Sequence, residues 1–600
     1  MDLEQLFTIP SVDTDGGFDI SPDGKCLAFS WNPSGLPELY LLPLDGSARP
    51  RQLTCGPGGK LAPRFSPRGD RLAYLVDLDG SEALDIWVYD LVQGKHTNLT
   101  PDTPESFQPN ISWSPDATQI ACISDLSGKF DACVLPAAGG PIRRVLDLPC
   151  PDWDVRWSPD GSRLAVVSES SGQDHRLTIV PLNRESAPYP VRFEGEMINA
   201  REARWSPDGR RLAFASDFHG SFAIGIIDLE SGSIAWISSG DGDASMPEWS
   251  PDGQRLVYVH SQGPDTSIRI VDSTNAAGLS YQVDHGVHSA PRFTPDGRQA
   301  VVVFENPCQP ADLWQLSLES GEVSQLTRSL PAGLQNQGFI FPEHITYPGL
   351  DGKPVPGLLF KPKNPVSLPP AVIVVHGGPN WSYQFSWNPF LQHLAGRGWT
   401  VLAPNYRGST GYGRDWQLAS RFDLGGIDTA DVAAGADYLV GAGLADPQRI
   451  AVTGRSHGGY LTITCLTQYP ERWAAGAAVV PFLNWFTAHA NSRPDLQHWD
   501  IENMGDPEQN HDLWLARSPF FSLERIQAPV QLICGGNDPR CPASESIAAG
   551  QALQALGKSV DLVLYPDEGH SFLKLENILD SEKRRVTFLA QAFEGTGETE

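Results

Sequence analysis

At 600 residues and 65.3 kDa the chain is longer than one hydrophobic core usually serves, and it predicts two large domains. Its net charge of −28 excludes a nucleic-acid partner, because a phosphate backbone would be repelled. No apolar run reaches membrane-spanning length, no basic region and apolar core open the chain, and nine cysteines lack any Cys-x-x-Cys pair, so the expectation is a cytoplasmic protein with reduced thiols.

Residues 1–11 cannot start the repeat that follows and are expected to pack back on the C-terminal domain. From residue 12 to 328 the chain repeats. Ser-Pro-Asp-Gly or a near variant recurs at Ser21, Ser66, Ser114, Ser158, Ser206, Ser250 and Thr294, with spacings of 45, 48, 44, 48, 44 and 44 residues. That period is the length of a propeller blade. An aromatic residue precedes most of the turns (Phe65, Trp113, Trp157, Trp205, Trp249, Phe293), Pro presets φ at the second turn position, and Gly takes the last one. Alternating strands such as Arg211–Ser216 follow, and second hairpins such as Asp85–Gly94 complete four strands per unit. Seven units read as a seven-bladed β-propeller, with no strand exchanged between first and last blades. Residues 1–330 hold 25 basic and 45 acidic residues, so −20 of the −28 lies there. A negative funnel favouring cationic peptides is the functional reading of that charge, and a surface charged for solubility the plain one.

Residues 335–600 change period. Strand and helix segments alternate, which predicts a doubly wound, mainly parallel α/β sheet of the α/β-hydrolase type. The Ile345–Gly352 hairpin signal opens it, and the apolar strand Ala371–Val375 runs into His376-Gly377-Gly378-Pro379. The strand Arg449–Thr453 breaks into Gly454-Arg455-Ser456-His457-Gly458 and resumes as a helix, which forces Ser456 into a strained turn with its hydroxyl exposed. Ser456 is the candidate nucleophile. Asp538, just past the strand Pro529–Cys534, and His570, just past Val560–Tyr565, complete a Ser-Asp-His triad in hydrolase order. Asp561 lies within a strand, while Asp567 and Glu568 are too near His570 in sequence to orient it. The backbone N–H groups of Gly378 and His457 are the candidate oxyanion donors, and His376 reads as a structural hydrogen-bonder. Phe482, Trp485 and Phe486 follow the strand Gly476–Val480 and are candidates for an apolar pocket beside the scissile bond.

Together with the Asn405–Gly413 segment, these motifs make the chain resemble the prolyl oligopeptidase family of serine peptidases, most closely its acylaminoacyl-peptidase and bacterial oligopeptidase branch. The resemblance covers nearly the whole chain. It implies hydrolysis of short peptides through an acyl-enzyme, with the propeller excluding folded proteins, and it allows a homo-oligomer. It assigns Arg540 to a substrate backbone carbonyl, against a plain reading in which Arg540 pairs with Glu545. The prolyl-specific branch places a tyrosine hydroxyl where His376 stands here, so that specificity is disfavoured. The family's dipeptidyl peptidases hold the substrate amine with paired propeller glutamates, and residues 12–328 contain no Glu-Glu pair. A carboxypeptidase mode, an esterase using the same triad, and a binding scaffold with a dead hydrolase are the other readings. No metal-ligand cluster or nucleotide fingerprint appears, so no cofactor is expected.

Overall fold

A computed structural model describes residues 2–595 except 15–16, 102–105, 184–185, 239, 241, 336 and 365–366. Seven four-stranded antiparallel sheets, each of consecutive strands, form the propeller. In blade 5 the strands are Arg201–Trp205, Arg211–Ser216, Ala223–Asp228 and Ile234–Trp236. The Ser-Pro-Asp-Gly turn joins the first two. Ser206 Oγ donates to Asp208 and accepts from the N–H of Arg211 at 2.9 Å, so one hydroxyl both closes the turn and starts the next strand. Where Arg68 replaces the turn aspartate, Ser66 donates to Asp70 instead, and where Ala117 replaces the glycine it takes the left-handed φ of 61°.

Neighbouring blades are stitched by the arginine five positions after the turn serine. Arg71 donates to Ala117 O, Arg163 to Gly209 O, Arg211 to Gly253 O and Arg255 to Gly297 O, all at 2.8–2.9 Å. Each guanidinium also lies over the aromatic ring that precedes the next blade's turn: Trp113, Trp205, Trp249 and Phe293.

The first blade starts at Phe18–Ile20 and the last ends at Val323–Gln325, with no strand exchanged. The ring is closed by single contacts: Val12 N to Ala311 O at 3.0 Å, Asp13 N to Ser30 O at 3.1 Å, and Trp31 Nε1 to Ser329 Oγ at 2.9 Å. Arginines as well as carboxylates line the channel, which favours the plain reading of the acidic excess over the negative funnel. Arg64, Arg156, Arg204, Glu248 and Arg292, at one register of five blades, line a central cavity of about 380 Å³. Asp154 pairs with Arg156 at 3.0 Å and Arg204 at 3.4 Å, and Arg204 with Glu248 at 3.4 Å. The acidic excess therefore lies elsewhere on the propeller.

The C-terminal domain holds one eight-stranded sheet: β1 Glu343–Pro348, β2 Pro354–Phe360, β3 Ala371–Val375, β4 Thr400–Pro404, β5 Ile450–Arg455, β6 Ala475–Val479, β7 Val530–Gly535 and β8 Val560–Tyr565, in the order β1-β2-β4-β3-β5-β6-β7-β8. β2 runs antiparallel to both its neighbours, β1 and β4, and the other neighbouring strands are parallel. β3 is buried on both faces, which explains its unbroken apolar run: Ile373 and Val375 pack with the helices Ile427–Gly441 and His457–Gln468, Val372 and Val374 with Pro389–Gly396 and Leu575–Glu594. The helix Leu3–Phe7, capped by Asp2, puts Leu3 into that second layer beside Val586 and Leu589.

Loops between the second and third strands of the blades face this domain. Gly172 N donates to Glu502 at 2.7 Å, Arg414 pairs with Asp217 at 2.6 Å, Phe385 N donates to Pro264 O at 2.8 Å, and Trp387 N to Glu305 at 3.0 Å. Because strands alternate in direction, the Ser-Pro-Asp-Gly turns lie at the opposite end of the propeller.

Candidate active site

β5 ends in the turn that carries Ser456, whose φ is 60° and ψ −125°. The surrounding glycines are required by packing: a Cβ on Gly458 would stand 2.2 Å from Val375 O, and one on Gly454 2.4 Å from Gly458 O. Ser456 N donates to Val479 O at 2.9 Å, which ties the strained residue to the neighbouring strand. The amide of His457 opens the helix His457–Gln468 and, among the described residues, donates to no acceptor; neither does that of Gly378. Both residues line the same cavity as Ser456.

Asp538 follows β7 and His570 follows β8. The two meet, with His570 Nδ1 at 2.8 Å from Asp538 Oδ2 and 3.0 Å from Oδ1. Asp538 also accepts from the amides of Arg540 and Cys541 at 2.8 Å each, so its orientation is set by its own loop. Arg455 Nη1 donates to His570 O at 2.6 Å while its guanidinium lies over Phe572, and thereby ties the histidine loop to the serine turn. The other acids are occupied elsewhere: Glu568 accepts from the amides of Leu573 and Lys574, Asp567 pairs with Lys574, and Asp561 accepts from Gln531.

The two remaining histidines of the site are structural. His376 is buried, hydrogen-bonds Ser409 Oγ at 2.9 Å and stacks on Tyr406, and burial pushes its pKa down to about 3, which keeps it neutral. The His457 ring reaches Asp428 at 3.2 Å, a buried contact that holds it in place.

A cavity of about 170 Å³ opens beside Ser456. Phe482 and Trp485 line it, while Phe486 does not: its ring packs on His511 and Trp514, because the helix Trp485–Asn491 turns adjacent side chains to different sides. Leu496, Trp499, Asp500 and Cys541 also line the cavity and carried no motif in the sequence. Burial raises the pKa of Asp500 to about 6, against a hydrogen bond from His489 at 3.1 Å.

Arg540 stands at the mouth and does not pair with Glu545, which instead accepts from Leu483 N, Asn484 N and Thr487. Its partner is Glu82 of the propeller at 2.7 Å, and Arg493 holds the same carboxylate at 2.7 Å. Burial raises the Glu82 pKa, but the two guanidiniums outweigh it and the net shift is downward. The loop carrying Glu82 touches the histidine loop as well, where a Cβ on Gly569 would overlap Gly80 O. Among the described residues no three His, Cys, Asp or Glu side chains gather as metal ligands, and no helix is long and apolar enough to cross a membrane.

The model of the prolyl oligopeptidase family matches residues 383–596, and that of the TolB beta propeller domain residues 147–283. Residues 383–596 are a prolyl oligopeptidase family domain. Dipeptidyl aminopeptidase BIII of Pseudoxanthomonas mexicana is 35% identical over 237 residues, 38% of this chain and 34% of the relative. Acylamino-acid-releasing enzyme of Rattus norvegicus is 32% identical over 257 residues, 41% of this chain and 34% of the relative. The aligned part thus spans about a third of these curated relatives' length. A structure of a Mycobacterium tuberculosis puromycin-hydrolyzing peptidase shares the fold with a TM-score of 0.87 at 22% identity, over 99% of this chain and 96% of that one. The two-domain architecture is therefore shared nearly end to end with that structure.

Proposed function

We propose that this protein is a serine peptidase that hydrolyses short peptides through an acyl-enzyme on Ser456, in the manner of an acylaminoacyl-peptidase. One observation carries the reading: a serine in a strained turn shares its cavity with two amide donors that have no other acceptor among the described residues. In this reading Ser456 Oγ attacks the substrate carbonyl and gives its proton to His570. Asp538 holds the imidazole tautomer and stabilises the cation that forms. The carbonyl oxygen, now negative, accepts from the Gly378 and His457 amides. The imidazolium then protonates the departing amine, and water repeats the sequence on the ester. Phe482, Trp485 and Trp499 offer an apolar surface for the side chain before the scissile bond.

Glu82 bears on which end of the peptide is held. It is the propeller carboxylate at the mouth, but two guanidiniums already neutralise it, so a substrate ammonium there meets a local excess of positive charge. That supports blocked or internal peptide ends over free amines. Nine unpaired cysteines accord with a reducing, cytoplasmic setting.

The test compares N-acetyl-alanyl and alanyl chromogenic substrates, with Ser456→Ala as the blank. The acetylated substrate should turn over faster, and the variant should lose about 10⁴-fold or more of kcat. Preference for the free amine would move the assignment to an aminopeptidase. Turnover that survives Ser456→Ala would remove the acyl-enzyme altogether.

A further inference from the structure

Four blade seams carry the arginine stitch, and the seam between blades 3 and 4 does not. Five positions after Ser114 stands Gln119 where Arg71, Arg163, Arg211 and Arg255 stand in their blades. The receiving half of the stitch is nevertheless intact. Trp157 precedes the turn of blade 4, and the Gly161 carbonyl accepts no hydrogen bond among the described residues. The seam has not closed to compensate. Pro115 lies 3.6 Å from the Cβ position of Gly161, the same spacing as Pro159 to Gly209 and Pro251 to Gly297 in stitched seams. What remains is a cavity of about 400 Å³ bounded by Gln119, Arg143, Trp157, Asp116, Asp160 and Gly161. Two other seams also lack the arginine, with Cys26 and Gln299 at its place; the first keeps a phenyl ring, Phe65, as the stitched seam of Arg255 keeps Phe293, and the second has Ile20. Only the seam between blades 3 and 4 lacks the cation and keeps the tryptophan.

We propose that this cavity binds a guanidinium group, the chemistry that the chain itself places over the equivalent ring four times. The planar cation can lie on the Trp157 face and donate to Gly161 O, as Arg163 does with Trp205 and Gly209 O one seam on. A compact, strongly hydrated ammonium fits neither contact as well. Arg143 at the rim repels a cation, but two carboxylates outweigh it. Hydrogen bonds from Ser114 and Thr118 hold Asp116 ionised, and those from Ser158 and Ser162 pull Asp160 down to about 2. The less laced state of the seam has a second sign. Trp113, Trp205 and Trp249 donate their indole N–H to the preceding blade, and the buried Trp157 Nε1 has no partner among the described residues. The site lies at the end of the propeller away from Ser456, so its ligand is not the peptide being cleaved.

The full chain is titrated with agmatine and, separately, with N-acetyl-Gly-Arg-Gly-amide, following melting temperature. Agmatine should raise Tm saturably, half-saturating at roughly millimolar concentration, and methylamine should not. Gln119→Arg should supply the missing cation from within: it should melt roughly 2 °C or more above the wild type and no longer respond to agmatine. If that variant does not fold, Trp157→Leu should abolish the response instead. In crystals soaked with agmatine, the guanidinium should stack on Trp157. A stronger response to agmatine assigns the site to a free guanidino compound, and a stronger response to the peptide to an arginine presented on a polypeptide. An unsaturable response, a response unchanged in Gln119→Arg or Trp157→Leu, or a ligand bound elsewhere in the crystal would overturn the proposal.

Discussion

Asp500 is the one carboxylate in the wall of the pocket beside Ser456, among Phe482, Trp485, Leu496 and Trp499. With its pKa near 6, it is neutral in mild acid and charged above neutrality. An ionised carboxylate in an apolar pocket repels apolar side chains and attracts cationic ones. The ratio of kcat/KM for lysyl over leucyl substrates is therefore expected to rise between pH 5 and pH 8, and Asp500→Asn should flatten it. An equal slope in the variant would mean the pocket carboxylate does not sense the substrate. At the same scale, Asp538→Asn keeps the shape of the site but lets the imidazole take the wrong tautomer. Single-turnover acylation should fall about 10⁴-fold with circular dichroism unchanged.

At the scale of elements, the propeller is held by a short device repeated with substitutions. The arginine stitch joins a hydrogen bond to a ring contact, and losing both should be felt beyond one blade. Arg163→Leu, which unpicks the seam between blades 4 and 5, is expected to cost about 1–3 kcal/mol in urea unfolding. A change below experimental error would show that adjoining apolar packing holds the seam alone. The serine turn is a second element whose sequence and geometry agree. Each glycine beside Ser456 abuts a carbonyl oxygen of the sheet or helix, so Gly458→Ala should lower both stability and turnover, unlike a substitution at an open glycine of ordinary φ such as Gly441.

At the scale of the whole molecule, buried charges line the contact between domains. Glu169 accepts from Trp153 Nε1 at 2.8 Å within the propeller and faces Asp495 and Glu502 of the other domain. Burial, aided by those two acids, raises its pKa to about 7. Because the folded value lies above the ordinary 4.5, this group's contribution is full below that value and is lost as pH rises through 7. The loss is on the order of 3 kcal/mol. Glu169→Gln retains an acceptor for Trp153 and removes the charge, so it should raise Tm by several degrees at pH 8 and by little at pH 5. Equal effects at both pH values would mean that the carboxylate is solvated on ionisation.

The sequence by itself determined whatever depends on local repetition and on the order of short motifs. Seven turns at propeller spacing, the strand-turn-helix around Ser456, and aspartate and histidine loops after successive strands were legible because each is encoded within a few residues. Tertiary structure decided what depends on side chains from distant segments meeting. Nothing near Glu82 in sequence indicates that it would cross from the propeller to Arg540 and Arg493, more than four hundred positions away. The same holds for Asp500 and Trp499 in the pocket, and for Phe486 turning out of it on a helix whose rotation is set by packing against Trp514. Net charge was a poor guide to the channel for the same reason: a sum over residues carries no direction, and the fold turned arginines inward and left the acidic excess elsewhere.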